Sequence, residues 1–247
     1  IKRLVSQITT VPKLFVLHRQ VEKLFEEYVQ AAQNKHTVRW GLAEQLAYAS
    51  LIEEGYGVRL VGQDVERGTF SHRHAMVHDQ KTGQIYCPLQ HITTRQNAFQ
   101  AFNSVLSEQA VLGFEYGFSG VDPDTLTIWE AQYGDFCNGG QVIIDQFISS
   151  AWQKWQRLSG LVMLLPHGYE GAGPEHSSAR LERFLQLCAQ HNMRVCMPSN
   201  AAQMFHLLRM QMKQKARVPL VVMTPKKSLR LPEAMSPRSE FCEGSFQ

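Results

Sequence analysis

Short apolar runs that do not alternate with polar residues constrain the fold of this chain most. Leu161–Leu165 and Val218–Met223 are runs of this kind. A run without alternation is typical of a strand that is buried on both faces of its sheet. Three further segments are predicted as strands, namely Val58–Gly62, Thr125–Trp129 and Met193–Met197. Because helical patterns lie between these strands, the sequence predicts an α/β fold, with a mainly parallel sheet and helices on both faces.

Apolar residues at helical spacing predict the intervening helices. They cover Val16–Ala32, Trp40–Leu51, Gln141–Trp155, Ser177–His191 and Ala201–Met212, and a sixth runs from an N-cap at Ser107 to Gly117. Residues 1–16 show turn chemistry and little periodicity. The polar stretch Gln63–His91 is predicted as a long connection, and long ordered connections are more often functional than short ones.

Composition excludes several classes of protein. The 247 residues are 44% hydrophobic and 19% charged, which is typical of one large globular domain, or of one domain with appendages. No apolar run approaches the roughly 18 residues that span a bilayer, and no signal peptide opens the chain. The net charge of +3 includes no dense basic block, so non-specific nucleic-acid binding is not predicted.

The cysteines and the chain ends carry two further expectations. Five cysteines without a CxxC pair favour free thiols in a reducing compartment and disfavour a zinc site. The chain begins at Ile1 without an initiator Met and ends after a Pro/Ser-rich stretch. We therefore expect it to be a piece of a larger protein.

The loop Pro166–Ser177 follows a predicted strand and is the most informative one. Ligands bind outside the carboxyl ends of the strands in open α/β sheets. His167 and His176 bracket glycines that allow a close approach of the backbone to a ligand. His176 is expected immediately before a helix N-terminus, where it would donate a proton or bind an anionic substrate. A solvated turn with surface histidines is the alternative.

Other candidate residues have a structural explanation beside a functional one. Glu108 follows the Ser107 cap, and a first-turn carboxylate stabilises a helix by roughly 0.3–1 kcal/mol without any further role. Phe136 lies in a turn after a strand, where it either fills the core or stacks on a flat ring. His72 and His74 are best explained as polar loop histidines, since no carboxylate or cysteine completes a metal set with them.

No metal site is predicted on this chain. The sequence contains no GxxxxGKS, no GxGxxG after a strand and no GxSxG. These absences disfavour nucleotide triphosphate hydrolysis, Rossmann dehydrogenase chemistry and α/β-hydrolase chemistry.

Four segments carry a resemblance to a known family. They are Gly68–His74, Leu106–Gly117, Trp129–Phe136 and Leu164–Arg180. Together they closely resemble the thiamine-diphosphate-dependent first component of the 2-oxoglutarate dehydrogenase complex, in the transketolase superfamily. Val221–Arg230 fits as well, except that a second lysine, Lys227, stands where that family usually has Ser. The similarity runs from about Ile8 to Ser236, and the pattern Gly171-x-Gly173-Pro174-x-His176 is shared with the superfamily at large.

The resemblance implies that the chain contains a pyrimidine-binding domain. It implies a connecting segment with a helix at 1–36, the domain at 37–231, and a linker toward a missing C-terminal domain at 232–247. Glu108 matches the family's glutamate that bonds the pyrimidine N1′ nitrogen, and Phe136 matches the aromatic ring that stacks on the pyrimidine. Leu106 and Gln132 match flanking contacts. His176 matches a histidine facing the substrate and the lipoyl arm, and His167 matches a second one in the same cleft.

The resemblance also implies cofactors and partners. The family anchors diphosphate and Mg²⁺ through a GDG motif on a separate domain. No GDG occurs here, so thiamine diphosphate is expected, with the Mg²⁺ ligands outside this chain. A homodimer is implied, together with a lipoyl-bearing succinyltransferase component and a dihydrolipoyl dehydrogenase component, without nucleic acid or membrane. The implied location is bacterial cytoplasm, or the mitochondrial matrix if the source is eukaryotic.

The implied function is oxidative decarboxylation of 2-oxoglutarate in the tricarboxylic acid cycle, with transfer of the succinyl group to a lipoyl group. The isolated chain is expected to be inactive. Three alternatives remain open: the related enzyme acting on 2-oxoadipate, a 2-oxoglutarate decarboxylase, and a non-catalytic assembly or regulatory module.

Overall fold

A six-stranded sheet, parallel throughout, organises the fold. The computed structural model describes residues 1–33, 36–96, 98–170 and 173–247. The strand order is β4-β1-β5-β6-β8-β7. The strands are β1 Gly57–Gly62, β4 Phe99–Asn103, β5 Thr125–Glu130, β6 Val162–His167, β7 Arg194–Cys196 and β8 Leu220–Pro225, and a separate small hairpin pairs β2 Val77–His78 with β3 Ile85–Tyr86. The predicted α/β class and parallel sheet are confirmed.

Helices cover both faces of this sheet. They are α1 Lys2–Thr9, α2 Arg19–Ala32, α3 Trp40–Glu53, α4 Glu108–Val121, α5 Gln141–Ile143, α6 Ala151–Trp155, α7 Leu181–Leu187 and α8 Ala201–Lys213. One core holds α1, α2, α3 and α8 against one face, and a second core holds α4 and α7 against the other. Val162 and Leu164 enter the first core, whereas Met163 and Leu165 enter the second. This division explains why β6 shows no polar alternation. Among the described residues, no helix has the length and apolarity to cross a membrane.

A buried arginine fills the crevice between the carboxyl ends of β1 and β5. The connection from β1 leads to β4 on one side and that from β5 leads to β6 on the other, so the strand order reverses here. The Arg73 guanidinium donates to both Glu130 oxygens at 3.0 and 2.5 Å and to Glu44 at 2.9 Å. It also donates to the Val65 carbonyl at 3.0 Å. Burial opposes the charge, but Glu130 and Glu44 outweigh it and raise the pKa of Arg73.

The connection after β1 brings Arg73 into this crevice. Its backbone turns through left-handed conformations at Asp64, Ser71 and His74, with φ of 57°, 52° and 50°. The Arg67 carbonyl accepts from the backbone N–H of both Arg73 and His74 at 3.0 Å. A non-glycine residue at positive φ is uncommon and persists where surrounding contacts hold it. The buried ion pairs of Arg73 are such contacts.

His72 differs from the expectation of a polar loop histidine. It is buried, and its Nε2 atom lies 3.8 Å from a Glu44 oxygen. Burial, and then the charge of Arg73, lower its pKa well below the ordinary value. The interpretation of His72 as a polar loop histidine is therefore wrong. The sequence did not reveal that the neighbouring Arg73 anchors this loop in the core.

Several predicted elements also need correction. α1 forms where turn chemistry was expected, since Leu4, Val5 and Ile8 recur at helical spacing and are buried. β4 was missed because it is a short edge strand that pairs only with β1. The expected helix Gln141–Trp155 is interrupted by a π-helical segment at Ile144–Ile148. The expected helix Ser177–His191 is limited to α7.

We expect Glu130→Ala to lower the free energy of unfolding of the 247-residue chain by about 3–5 kcal/mol. The substitution leaves Arg73 buried with half of its charge compensation removed. Urea denaturation measures the loss. The control is Glu53→Ala, which breaks an exposed pair with Arg3 and is expected to cost less than about 1 kcal/mol. Equal losses in the two variants would contradict this account of the crevice.

Candidate active site

The site is built at the carboxyl ends of β5 and β6. β5 is followed by a 3₁₀ turn at Gly134–Gly140, and β6 ends at His167. Gly134 allows the two segments to touch: an added Cβ would lie 2.6 Å from the Pro166 oxygen and 2.4 Å from the Ala179 Cβ. No larger residue fits there, because nonbonded contacts this short do not occur around a Cβ atom.

Three rings form a compact cluster on this edge. The His176 ring stacks on Tyr133, with centroids 4.3 Å apart and planes at 11°. The Phe136 centroid lies 5.1 Å from that of His176 and 6.1 Å from that of Tyr133. Phe136 is only half-buried, so part of the ring remains accessible. The structure thus brings together Phe136 and His176, two of the predicted site residues.

Asp135 orients His176. Nδ1 of the imidazole lies 3.2 Å from both carboxylate oxygens of Asp135. An ionised carboxylate can only accept a hydrogen bond, so Nδ1 of His176 is the donor. Nε2 of His176 is then the atom that can take or give a proton.

The expected position of His176 immediately before a helix is wrong. His176 ends a 3₁₀ turn at Pro174–His176, and α7 begins only at Leu181. Ser177 intervenes, with its carbonyl accepting from Gly168 N–H at 2.8 Å, and Arg180 adopts φ 57°. The predicted effect of the helix N-terminus on His176 is therefore replaced by that of the Asp135 carboxylate. Gly171 of the predicted loop motif lies outside the described residues.

Lys226 connects His167 with His176. Its backbone N–H donates to the His167 carbonyl at 3.2 Å, and its Nζ donates to the His176 carbonyl at 2.9 Å. Nδ1 of His167 accepts from the Ala179 N–H at 3.0 Å, so Nε2 carries the proton of the neutral ring. Burial, and then the charge of Lys226, lower the pKa of His167. His167 is therefore neutral near pH 7.

Glu108 begins α4 on the other side of the 3₁₀ turn. Ser107 caps the helix as predicted, with its Oγ accepting from Ala110 N–H at 3.3 Å. Two glycines of the turn, Gly139 and Gly140, lie against Glu108. An added Cβ on Gly139 would lie 3.1 Å from Glu108 Oε2. The half-buried carboxylate forms no hydrogen bond or salt bridge with another described residue. It is therefore available to a ligand that enters beside the glycines.

Leu106 and Gln132 are less closely tied to the site. Leu106 lies between β4 and α4 with 53% of its surface exposed, and Gln132 is half-buried just after β5. No hydrogen bond among the described residues links either side chain to Glu108 or Phe136. Within the same part of the chain, no group of three His, Cys, Asp or Glu residues is placed to hold a metal ion.

Sequence reasoning missed three residues of the site, namely Tyr133, Asp135 and Lys226. Tyr133 and Asp135 lie in a segment that was singled out for Phe136, and Lys226 directly follows β8. Their position just after buried strands was an available signal, since these ends meet at one edge of a parallel sheet.

We expect Lys226→Met to raise the pKa of His167, because the substitution removes the positive charge that disfavours imidazolium. NMR titration of the His167 ring measures the shift. Glu170 acts in the opposite direction on His167, so Glu170→Gln should lower the same pKa. An unchanged or lowered pKa in Lys226→Met would refute this electrostatic assignment.

Relatives of known name align with the whole chain. The 2-oxoglutarate dehydrogenase E1 component of Coxiella burnetii is 56% identical over 247 residues. That of Cupriavidus necator is 55% identical over 251 aligned positions, and that of Haemophilus influenzae is 54% identical over 244. Between 99% and 100% of this chain is covered, whereas it spans only 26% of each relative.

The family comparison covers most of the described site. Residues 36–232 match the profile described as transketolase, pyrimidine binding domain. This range includes Glu108, the 3₁₀ turn with Phe136, and both histidines. The chain belongs to the transketolase pyrimidine-binding domain family.

Proposed function

We propose that this chain is the pyrimidine-binding part of a 2-oxoglutarate dehydrogenase. The whole protein would decarboxylate 2-oxoglutarate oxidatively and pass the succinyl group to a lipoyl group of a second component, in the tricarboxylic acid cycle. The observation that carries this proposal is the pairing of a free carboxylate, Glu108, with a turn that bears Phe136 and places two of its glycines against Glu108. The identity of 54–56% over essentially the full chain supports the same conclusion.

The residues present fit thiamine diphosphate as the cofactor. Its pyrimidine is a flat ring with polar edges, which suits an accessible aromatic ring beside an unpaired carboxylate. Gly139 lets the turn approach Glu108 closely, since an added Cβ would lie 3.1 Å from Glu108 Oε2. When bound, the cofactor supplies the electron sink for decarboxylation. Mg²⁺ and its diphosphate ligands are proposed to lie on another part of the whole protein.

Glu108 is proposed to hold a proton at the N1′ nitrogen of the pyrimidine ring. Phe136 would stack on the ring and fix its plane, with Leu106 and Gln132 flanking it. These contacts orient the ring and contribute little affinity, since an aromatic pair adds about 0.5–1.5 kcal/mol beyond its buried area. We accordingly expect the 247-residue chain alone to be inactive.

His176 is proposed as an acid–base residue facing the substrate. Asp135 is a positioning residue, since it holds Nδ1 of His176 and leaves Nε2 for proton transfer. His167 is proposed to line the same cleft as a neutral donor from Nε2, because its Nδ1 is occupied by Ala179 N–H. Its lowered pKa keeps it uncharged there.

A homodimer is proposed for the whole protein. The rings of Tyr116, Phe147 and Trp155 contact one another in series, with centroids 5.9 and 5.7 Å apart. Phe147 and Trp155 are exposed. Contiguous exposed apolar surface of this kind marks a protein interface.

The remaining proposals concern boundaries, partners and location. We propose the domain at 37–231, with 1–36 and 232–247 as flanking segments. The partners would be the lipoyl-bearing succinyltransferase and dihydrolipoyl dehydrogenase components. Since the relatives named above are bacterial, we propose a bacterial cytoplasmic location. A comparison of the turnover rates with 2-oxoadipate and with 2-oxoglutarate distinguishes this proposal from the nearest alternative, the related enzyme acting on 2-oxoadipate.

We expect Glu108→Gln in the whole protein to reduce CO₂ release from 2-oxoglutarate by about 10²–10⁴-fold, because an amide cannot exchange the proton at N1′. The free energy of unfolding should change by no more than about 1 kcal/mol. The matched control is Gln109→Ala, an exposed position on the same turn of helix. Turnover of Glu108→Gln within a few-fold of the unsubstituted protein would remove Glu108 from the mechanism.

We expect His176→Ala to reduce turnover by about 10²–10⁴-fold while thiamine diphosphate affinity changes little. Asp135→Asn should reduce turnover through His176, and the double variant should be no slower than His176→Ala alone. Steady-state rates and calorimetric titration of the cofactor measure both effects. If the fold losses in turnover of the two single variants multiply in the double variant instead, Asp135 acts independently of His176.

A further inference from the structure

A cleft rich in positive charge opens beside the ring cluster. It has a volume of about 400 Å³ and is lined chiefly by Thr69, Phe70, Glu170, Lys226, Lys227 and Arg230. We refer to it as the basic cleft. None of its lining residues has a role in the proton transfers proposed above.

The basic cleft shares a wall with the candidate active site. Lys226 Nζ donates to the His176 carbonyl at 2.9 Å and lies 6.0 Å from the Tyr133 ring centroid. The Phe70 ring meets Tyr133 edge-on at 5.8 Å, and the Arg230 guanidinium donates to the Phe70 carbonyl at 2.5 Å. A group that occupies the cleft therefore lies next to His176.

The positive charge of the cleft is not neutralised within the described part of the chain. Lys226, Lys227 and Arg230 form no salt bridge there, and Glu170 is the one carboxylate among the lining residues. A compensated arrangement is seen at Glu54, which pairs with both Arg209 and Lys213 at 2.6 and 2.7 Å. Three adjacent cations repel one another, so an anionic occupant would stabilise this arrangement. Thr69 also lines the cleft, and its buried Oγ1 has no hydrogen-bond partner among the described residues.

The exposure of the cations distinguishes two kinds of anionic occupant. A small carboxylate is held best by desolvated cations, but only Lys226 is buried, and its Nζ already donates to His176. Lys227 and Arg230 are exposed, and an exposed ion pair contributes little affinity because water screens it. Several exposed charges of one sign act more strongly on a charged macromolecule, because they steer its approach and fix its orientation.

We propose that the basic cleft docks an acidic surface of the protein domain that carries the acyl acceptor to His176. This inference rests on the proposed function, in which a lipoyl-bearing domain must reach the active site. Carboxylates of that domain contact Lys227 and Arg230 at the rim of the cleft. Its lipoyl arm then extends along the wall formed by Phe70 and Tyr133.

The test uses the whole protein and the lipoyl-bearing domain of the succinyltransferase component. Lys227→Ser removes one charge, and Lys227→Glu with Arg230→Glu reverses two. Lys215→Glu is the matched control, since Lys215 is also exposed but precedes β8, at the end of that strand opposite to Lys227. Binding of a fluorescently labelled lipoyl-bearing domain is followed by anisotropy. Turnover of 2-oxoglutarate is followed separately with ferricyanide, which needs no carrier.

The proposal predicts that the double reversal weakens binding of the carrier domain by about tenfold or more at low salt. Lys227→Ser should weaken it less, and the loss should shrink as salt is added. The KM for 2-oxoglutarate with ferricyanide should stay within about twofold in all variants. Lys215→Glu should leave carrier binding unchanged.

Two results overturn the proposal. If KM for 2-oxoglutarate rises while carrier binding is unchanged, the cleft holds a substrate carboxylate instead. If neither quantity changes, the cleft docks nothing that takes part in turnover. Absence of ferricyanide reduction by the unsubstituted protein would refute the proposed function, and the anisotropy measurement would still decide whether the cleft binds the carrier domain.

Discussion

The guanidinium of Arg73 lies between Glu130 and Glu44, without access to water, at the point where the strand order reverses. In open α/β sheets such a crevice is the usual place for a ligand. Here a side chain of the protein fills it. The buried charges are tolerated because Glu130, Glu44 and the Val65 carbonyl all accept hydrogen bonds from the guanidinium of Arg73.

Filling that crevice moves the accessible chemistry to the neighbouring strand ends. β5 and β6 carry the residues that remain open to a ligand, and Gly134 lets the turn after β5 reach Pro166 and Ala179. The same turn presents Phe136 toward His176 and Gly139 toward Glu108. One short 3₁₀ segment thus connects the two parts of the candidate site. Its glycines are required by close approach rather than by flexibility.

Charge serves different purposes in the core and on this edge. Around Arg73 it is compensated and buried, so it stabilises one conformation of a loop that includes three non-glycine residues at positive φ. Around Lys226 it is left uncompensated and partly exposed, at a place where the backbone carbonyls of His167 and His176 already hold the lysine. Burial is the larger cause of the lowered pKa of His167, and the positive charge of Lys226 adds to it.

The sequence by itself determined the architecture and the main candidates. An apolar run without alternation, such as Leu161–Leu165, is buried on both faces only where helices cover both sides of the sheet. Ser107 followed by Glu108 indicates the start of a helix from local chemistry alone. The resemblance added Leu106 and Gln132 to these candidates and implied the roles of Phe136 and His176. A short edge strand such as β4 was not predicted, because a few half-buried residues produce little periodicity.

Only the tertiary structure decided how charged side chains pair. Arg73 and Glu130 are 57 positions apart, and Asp135 and His176 are 41 apart. No local pattern relates such residues, and an isolated Arg or Asp in a loop is by default a solvated one. His72 therefore lies in the core, contrary to expectation. Beside His176 the structure has the Asp135 carboxylate, where a helix N-terminus was expected. Secondary structure follows from neighbouring residues, whereas the partner of a buried charge is chosen by the packing that removes water from it.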